Sequence, residues 1–241
     1  MKLVILRTGD VIAEVAARRG EFAAWIRAGI GAAWSGDWIE VDMRGGETLP
    51  RAHEASGFII TGSVSSVTER APWMLRAEDY VRGLIAAKAP LLGICFGHQL
   101  IAQAMGGTVG RNPRGREIGT TDLRICMDDP LFAGLSGSFA VNSSHVDSVV
   151  MLPPGARVLA TTLLEPVTAF ALGESTRGVQ FHPEMDGDAV RHYIRVRADR
   201  MKTEGLDPDA HHAVAVDAPR AVEIMRNFVR GFVMKRAVAA A

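Results

Sequence analysis

The sequence predicts an α/β fold, an open and mostly parallel sheet flanked by helices on both faces, with a small antiparallel section. Three observations predict it. Short apolar runs alternate with longer stretches of helical periodicity, the pattern of parallel strands covered by helices. The run Leu91–Ile94 follows Pro90 and shows no polar alternation, as a strand buried on both faces requires. Between Thr108 and Leu172 the runs shorten and are separated by Gly, Pro, Asn and Asp, which reads as hairpin-like antiparallel material.

In chain order, Lys2–Arg7 is the first expected strand and Glu21–Trp34 a helix. Trp38–Asp42 is a second strand, and Gly45–Arg51 carries turn and breaker residues. Gly57–Thr61 reads as a third strand, Trp73–Lys88 as a second helix and Leu91–Ile94 as a fourth strand. A helix through His98–Met105 follows Cys95 at once. Shorter strands are expected at Thr108–Asn112, Glu117–Cys126, Ser138–Val141, Arg157–Thr162 and Val167–Leu172. Gly178–Phe181 returns to the buried type. Helices Asp188–Glu204 and Ala218–Lys235 close the chain, with a frayed Ala-rich tail from Ala237. No repeat, low-complexity block or linker interrupts this order, so residues 1–241 read as a single domain.

A chain of 241 residues can bury a core without a disulfide or metal staple. Its 27 basic and 27 acidic residues cancel, which favours neither a nucleic-acid nor an acidic-membrane partner. The two cysteines, Cys95 and Cys126, imply no disulfide framework and suit reduced thiols in the cytoplasm. Met1–Asp10 lacks the cleavage pattern of a signal peptide. No apolar run approaches the roughly 18 residues that span a bilayer, and the stretch Phe22–Trp34 is broken by Arg27.

Gly93-Ile94-Cys95-Phe96-Gly97 has the form G-x-nucleophile-x-G between a buried strand and a helix. Such a turn has no room for a Cβ on either side of the nucleophile. A thiol beside a helix N-terminus meets unpaired N–H groups and the positive dipole end, which favour the thiolate. The N–H of Phe96 can point at an oxyanion formed above the sulfur. A lone cysteine is more often a packed core residue. Cys126, in the plain strand pattern Asp122–Met127, is read that way.

Gln180-Phe181-His182-Pro183-Glu184 reads as a strand end, where residues i and i+2 share a face. His182 and Glu184 would then point together, the carboxylate fixing the tautomer of the imidazole. Alone, such a pair is more often a surface ion pair at a strand end. Cys95, His98, His182 and Glu184 also offer four zinc-ligand types, but metal ligands rarely begin on a strained elbow between glycines. No metal and no cofactor are expected. His98 reads as packed and hydrogen-bonded, and His53, His192, His211 and His212 as solvated.

Together, PLLGICFGHQL (Pro90–Leu100) and GVQFHPEM (Gly178–Met185) resemble the class I glutamine amidotransferases. FIITGSV (Phe58–Val64), GREIG (Gly115–Gly119) and NSSHVD (Asn142–Asp147) match further segments of that family, and the chain most resembles its free-standing members that look like the amidotransferase domain of GMP synthase. The resemblance implies a flavodoxin-like sheet and a Cys95, His182, Glu184 triad. Cys95 would attack a γ-carboxamide carbon, His182 would carry the proton to departing ammonia, and Glu184 would hold the ring. The N–H groups of Ser63 and Phe96 would form the oxyanion hole. Gly62 and Gln99 would contact bound glutamine, and Ser144, His145, Val146 and Asp147 would grip its α-amino and carboxylate groups. Two departures stand out: Gly62-Ser63-Val64 lacks the usual second glycine or following proline, and Thr120-Thr121-Asp122 stands where relatives often carry an aromatic residue.

The chain contains no G-x-x-x-x-G-K-[ST] loop or other nucleotide cradle. GMP synthesis by this polypeptide alone is not expected. Three readings follow: glutamine hydrolysis with ammonia passed to a synthase partner subunit, partner-free cleavage of another γ-glutamyl amide or peptide, and a non-catalytic regulatory protein. The intact triad disfavours the last.

Overall fold

The computed structural model describes the backbone of residues 1–239 and the side chains of residues 1–236. Of the tail expected to fray from Ala237, the backbone of residues 237–239 continues the last helix, and residues 240–241 lie outside the described residues. Strands β1 (Lys2–Arg7) and β2 (Asp37–Asp42) are joined through helices α1 (Ala13–Arg19) and α2 (Phe22–Ile30). Strand β3 (Gly57–Ile60) leads through α3 (Pro72–Ala86) to β4 (Leu91–Ile94), and α4 (Phe96–Ala104) follows the elbow. Then come β5 (Thr108–Arg111), β6 (Glu117–Ile125), β7 (Ser138–His145), β8 (Asp147–Met151), β9 (Ala156–Thr161), β10 (Ala169–Leu172) and β11 (Thr176–Val179). Helices α5 (Gly187–Val196), α6 (Ala198–Thr203), α7 (Pro208–Val214), α8 (Pro219–Phe228) and α9 (Met234–Ala239) complete the chain.

The nine-stranded sheet has the order β2-β1-β3-β4-β11-β10-β9-β6-β7. The first five strands pair in parallel, with β11 in the fifth place of a flavodoxin-like order. The remaining pairings are antiparallel and extend the same sheet, while β5 and β8 form a separate ribbon. Leu91, Leu92 and Ile94 of β4 are fully buried. Burial of such a side chain contributes about 1.5–3 kcal/mol, so β4 is a rigid platform for whatever its end carries.

One core lies between the sheet and the α2 and α8 face, where Ile26, Ile224 and Phe228 meet Leu3, Ile5 and Ile59. The other lies under α3 and α4, where Met74, Val81, Leu100 and Ile101 pack on Val4, Leu6, Phe58 and Leu91. A third cluster joins α5 to Val15 of α1 and Phe22 of α2, through Val190, Tyr193 and Ile194. Among the described residues no helix is long and apolar enough to cross a membrane.

Several expectations need correction. The C-terminal run Asp188–Glu204 is two helices, broken at Arg197. Ala218–Lys235 contains a π-helical turn, Val229–Val233, between α8 and α9. The strand expected at Gly178–Phe181 lies at Thr176–Val179, so Gln180 and Phe181 already belong to the loop. Cys126 is exposed and not core: β6 ends at Ile125, and although the Cys126 N–H still donates to the Leu159 carbonyl at 2.8 Å, its side chain stays on the surface. His192, His211 and His212 are half-buried, and His53 alone of that group is exposed.

Candidate active site

The site is built at the carboxyl end of β4. Cys95 has φ 50° and ψ −99°, a conformation that costs a non-glycine residue roughly 1–3 kcal/mol. The surroundings enforce it. The Cys95 N–H donates to the Val179 carbonyl at 2.8 Å, and its own carbonyl accepts from Gln99 N–H at 3.1 Å. A Cβ on Gly93 would lie 2.4 Å from the Gly97 carbonyl oxygen, and one on Gly97 would lie 2.6 Å from the Ile60 carbonyl oxygen. Both glycines are therefore steric requirements of the packing between strand and helix. Phe96, the first residue of α4, stacks on Trp73 with centroids 5.6 Å apart, which fixes the start of the helix.

His182 arrives from the loop after β11. The i, i+2 spacing predicted His182 and Glu184 on one strand face; instead a turn brings them together, with Met185 N–H donating to the His182 carbonyl at 3.2 Å. Proline and the turn achieve what strand alternation was expected to do. His182 Nδ1 lies 2.7 Å from Glu184 Oε1, with both side chains buried. The His182 N–H donates to the Asn142 carbonyl at 2.8 Å, and Phe22 stacks on the ring at 5.9 Å. Asp186 caps α5 by accepting from Ala189 N–H at 2.8 Å, so the turn is clamped on its far side. None of these three supports, Asn142, Phe22 and Asp186, was found in the sequence. Phe22 carried no signal beyond its apolar helix, whereas Asn142 stood inside NSSHVD.

The electrostatics point to a thiolate–imidazolium pair. Burial opposes charge on Cys95, but the charge and hydrogen bond of His182 outweigh it, and the thiol is held below its ordinary value. Burial likewise opposes charge on His182, yet Glu184 and then Cys95 raise it to about 10. Gln180 approaches as well: its Nε2 donates toward Cys95 Sγ at 3.6 Å and its Oε1 accepts from Gln99 Nε2 at 3.0 Å. Gln180 was missed although it lies within the GVQFHPEM segment.

A cavity of about 430 Å³ opens over the sulfur, and Ser63, Cys95, Phe96, Gln99, Ser144, His145, Val146 and Asp147 all line it. Neither Ser63 N–H nor Phe96 N–H donates to another group among the described residues. Gly62 sits beneath the imidazole rather than on the cavity wall. Gln99 Nε2 donates to the Asp147 carbonyl at 2.9 Å, which ties α4 to the start of β8. The Asp147 carboxylate accepts from the Ser66 hydroxyl. His145 is buried between two carboxylates, its Nε2 3.2 Å from Glu117 Oε2 and its Nδ1 4.0 Å from Glu165 Oε2. Burial opposes its charge, but Glu117 raises its pKa overall.

His98 is fully buried against Phe170, centroids 4.7 Å apart, as expected of a packed residue, and its ring meets the backbone of Gly178. Burial lowers it to about 3, so it is neutral. The cavity also contains four charged residues that sequence reasoning did not single out, Glu69, Arg116, Arg197 and Arg200. Three of these lie outside the quoted motifs, and Arg116 sits within GREIG.

Comparisons with known proteins agree with this geometry. Residues 37–196 match the family model described as glutamine amidotransferase class-I. The chain is 44% identical over 167 residues to a glutamine-hydrolyzing GMP synthase of Parafrankia, covering 65% of this chain but 29% of the relative. It thus spans less than a third of that protein's length. It is 43% identical to one subunit of the glutamine-hydrolyzing GMP synthase of Saccharolobus solfataricus, over 53% of this chain and 66% of that one. With gamma-glutamyl peptidase 3 of Arabidopsis thaliana it shares 28% identity, over 73% of this chain and 74% of that one. The crystal structure of a glutamine amidotransferase from Thermotoga maritima superposes with a TM-score of 0.76 at 22% identity, covering 97% of this chain and 98% of that one, and supports the fold. A cysteine elbow on the fourth strand, a histidine–glutamate turn after the fifth parallel strand and a family match across both mean that the chain belongs to the class I glutamine amidotransferases.

Proposed function

We propose that residues 1–241 act as one domain that hydrolyses a γ-glutamyl amide through a thioester on Cys95, with glutamine as the simplest substrate. The observation that carries this reading is the buried Cys95 and His182 pair, polarised by a carboxylate 2.7 Å from His182 Nδ1. The Cys95 thiolate attacks the γ-carbon while the N–H groups of Ser63 and Phe96 stabilise the oxyanion. The C–N bond breaks as the His182 imidazolium gives its proton to the leaving nitrogen. Water, deprotonated by His182, then attacks the thioester; the C–S bond breaks and the thiolate–imidazolium pair returns. The net change is glutamine plus water to glutamate plus ammonia.

Glu184 holds the His182 ring throughout and stabilises its charge. Gly62 and Gln99 shape the site, and the loop Ser144, His145, Val146 and Asp147 holds the α-amino and α-carboxylate groups. No cofactor enters this chemistry. The glutamine-hydrolysing relatives, that of Saccharolobus solfataricus included, support transfer of ammonia to a separate synthase subunit. Two free thiols suit a cytoplasmic setting.

A second reading, cleavage of a γ-glutamyl peptide without a partner, is favoured by the gamma-glutamyl peptidase relative, of which this chain covers 74%. Turnover of glutamine and of γ-glutamyl amides by purified protein, with Cys95→Ala as control, tests both. Glutamine hydrolysis stimulated by a synthase subunit supports the first, and turnover of γ-glutamyl peptides alone supports the second. Absence of turnover of every γ-glutamyl compound, with and without a synthase subunit, rejects the proposal.

A further inference from the structure

The cavity over Cys95 has an uneven charge distribution. Its two acids are already engaged: the Asp147 carboxylate accepts from the Ser66 hydroxyl, and Glu69 Oε1 accepts from Ser66 N–H at 2.8 Å. Of its three arginines, Arg116 is held by Glu204 through bonds of 2.6 and 3.1 Å. Arg200 reaches the same carboxylate at 3.4 Å. Arg197 differs. Its guanidinium meets no carboxylate and makes no hydrogen bond to protein among the described residues, although the side chain is partly buried and lines the cavity with Cys95.

The fold holds Arg197 in place. It is the residue at which α5 stops and α6 starts, with φ −100° and ψ 8°. Its N–H donates to the Tyr193 carbonyl at 3.1 Å and its carbonyl accepts from Met201 N–H at 2.9 Å. The guanidinium lies 5.4 Å from the centroid of the buried Tyr193 ring. This packing fixes the stem and limits the rotamers, unlike those of a free surface arginine. Burial and then the like charge of Arg116 lower its pKa, an effect that Tyr193 and Cys95 offset only in part, so the native state carries here a cation with no carboxylate beside it. A partly buried charge without a partner is unfavourable, and an incoming anion relieves it. Arg197 also stands one residue past the stretch matched by the family model, 37–196, so family membership assigns it no role.

We propose that Arg197 binds a carboxylate of the substrate and so selects γ-glutamyl compounds by their negative charge. This rests on the amide-cleaving reading above. The carboxylate has two sources: the α-carboxylate of the γ-glutamyl unit, or a carboxylate on the amine that leaves. A planar guanidinium suits either, through paired N–H donors.

The test is steady-state kinetics of wild type, Arg197→Met and Arg197→Lys on glutamine, γ-glutamyl methylamide and γ-glutamylglycine. Arg197→Met keeps a stem to pack on Tyr193 and removes the charge. It should raise KM about 10- to 100-fold with kcat changed less than about 3-fold, and Arg197→Lys should recover part of the loss. A rise on all three substrates assigns the α-carboxylate; a rise on γ-glutamylglycine alone assigns the leaving group. Unchanged KM on every substrate in a variant with wild-type circular dichroism and melting temperature overturns the proposal. Should Arg197→Met fail to fold, unchanged KM values for Arg197→Lys would overturn it equally, because an ammonium cannot reproduce the paired geometry. Calorimetric titration with glutamate and γ-glutamylglycine separates the two levels of the argument. If wild type turns over none of the substrates, with or without a synthase subunit, the catalytic reading fails, and weaker carboxylate binding by Arg197→Met still supports the anchor.

Discussion

Gly62 packs directly against the His182 ring: a Cβ at this position would stand 2.8 Å from His182 Cε1 and 3.7 Å from Cys95 Cβ. The glycine gives the imidazole its place beside the sulfur. Gly62→Ala should therefore displace the ring by a few tenths of an ångström and lower kcat about 10- to 100-fold, with little change in melting temperature. Kinetics of the purified variant beside a thermal melt check this; wild-type kcat would show that the ring does not depend on the gap.

The elbow glycines should behave differently. A Cβ on Gly93 would press to 2.4 Å on the Gly97 carbonyl oxygen, between two backbone segments with no flexible side chain to yield. Gly93→Ala should cost about 1–3 kcal/mol of stability, read from denaturant unfolding at constant slope.

The proton inventory predicts the pH profile. Cys95 is held below its ordinary value by His182 against the opposition of burial, and His182 is raised to about 10 chiefly by Glu184. The active thiolate–imidazolium form thus exists between these two limits. kcat/KM should rise with pH along a limb below the usual thiol range and fall along one near 10. Glu184→Gln removes the main support of the imidazolium. It should move the alkaline limb to lower pH and reduce kcat/KM near neutrality about 100-fold. An alkaline limb that stays fixed in the variant would exclude this role for Glu184.

Glu204 joins α6 to the rim of the site through the buried Arg116, which lowers its pKa to about 2 from 4.5. A depressed carboxylate contributes stability that is present above its unfolded value and lost as pH falls through its folded value. Glu204→Gln should cost about 2 kcal/mol at neutral pH. The gap to wild type should close between pH 4.5 and about 2, as unfolding titrations across that range would show.

The parallel half of the fold was readable because burial on both faces removes ambiguity: β1 and β4 fall at Lys2–Arg7 and Leu91–Ile94, as the apolar runs say. The antiparallel half was less so. β7 was expected to stop at Val141 but runs to His145, because Asn142, Ser143, Ser144 and His145 are polar residues buried by long-range partners that no local pattern reveals. The unrecognised α1 and α7 are 7 residues each, too short for a clear period, and β8 begins with an Asp held by Ser66. At the site, the motif residues converge, but the turn that presents His182 was mistaken for a strand. Arg197 was hidden inside a run with continuous helical character, and only its tertiary surroundings show where the helix breaks.

The central claim is that Cys95 carries the γ-glutamyl group during turnover. Rapid acid quenching of the enzyme with its best γ-glutamyl substrate, followed by peptide mass mapping, tests it most directly. A γ-glutamyl adduct on the peptide containing Cys95, absent from Cys95→Ala, is the expected result. Turnover that persists in Cys95→Ala, or an adduct confined to another residue, would contradict it.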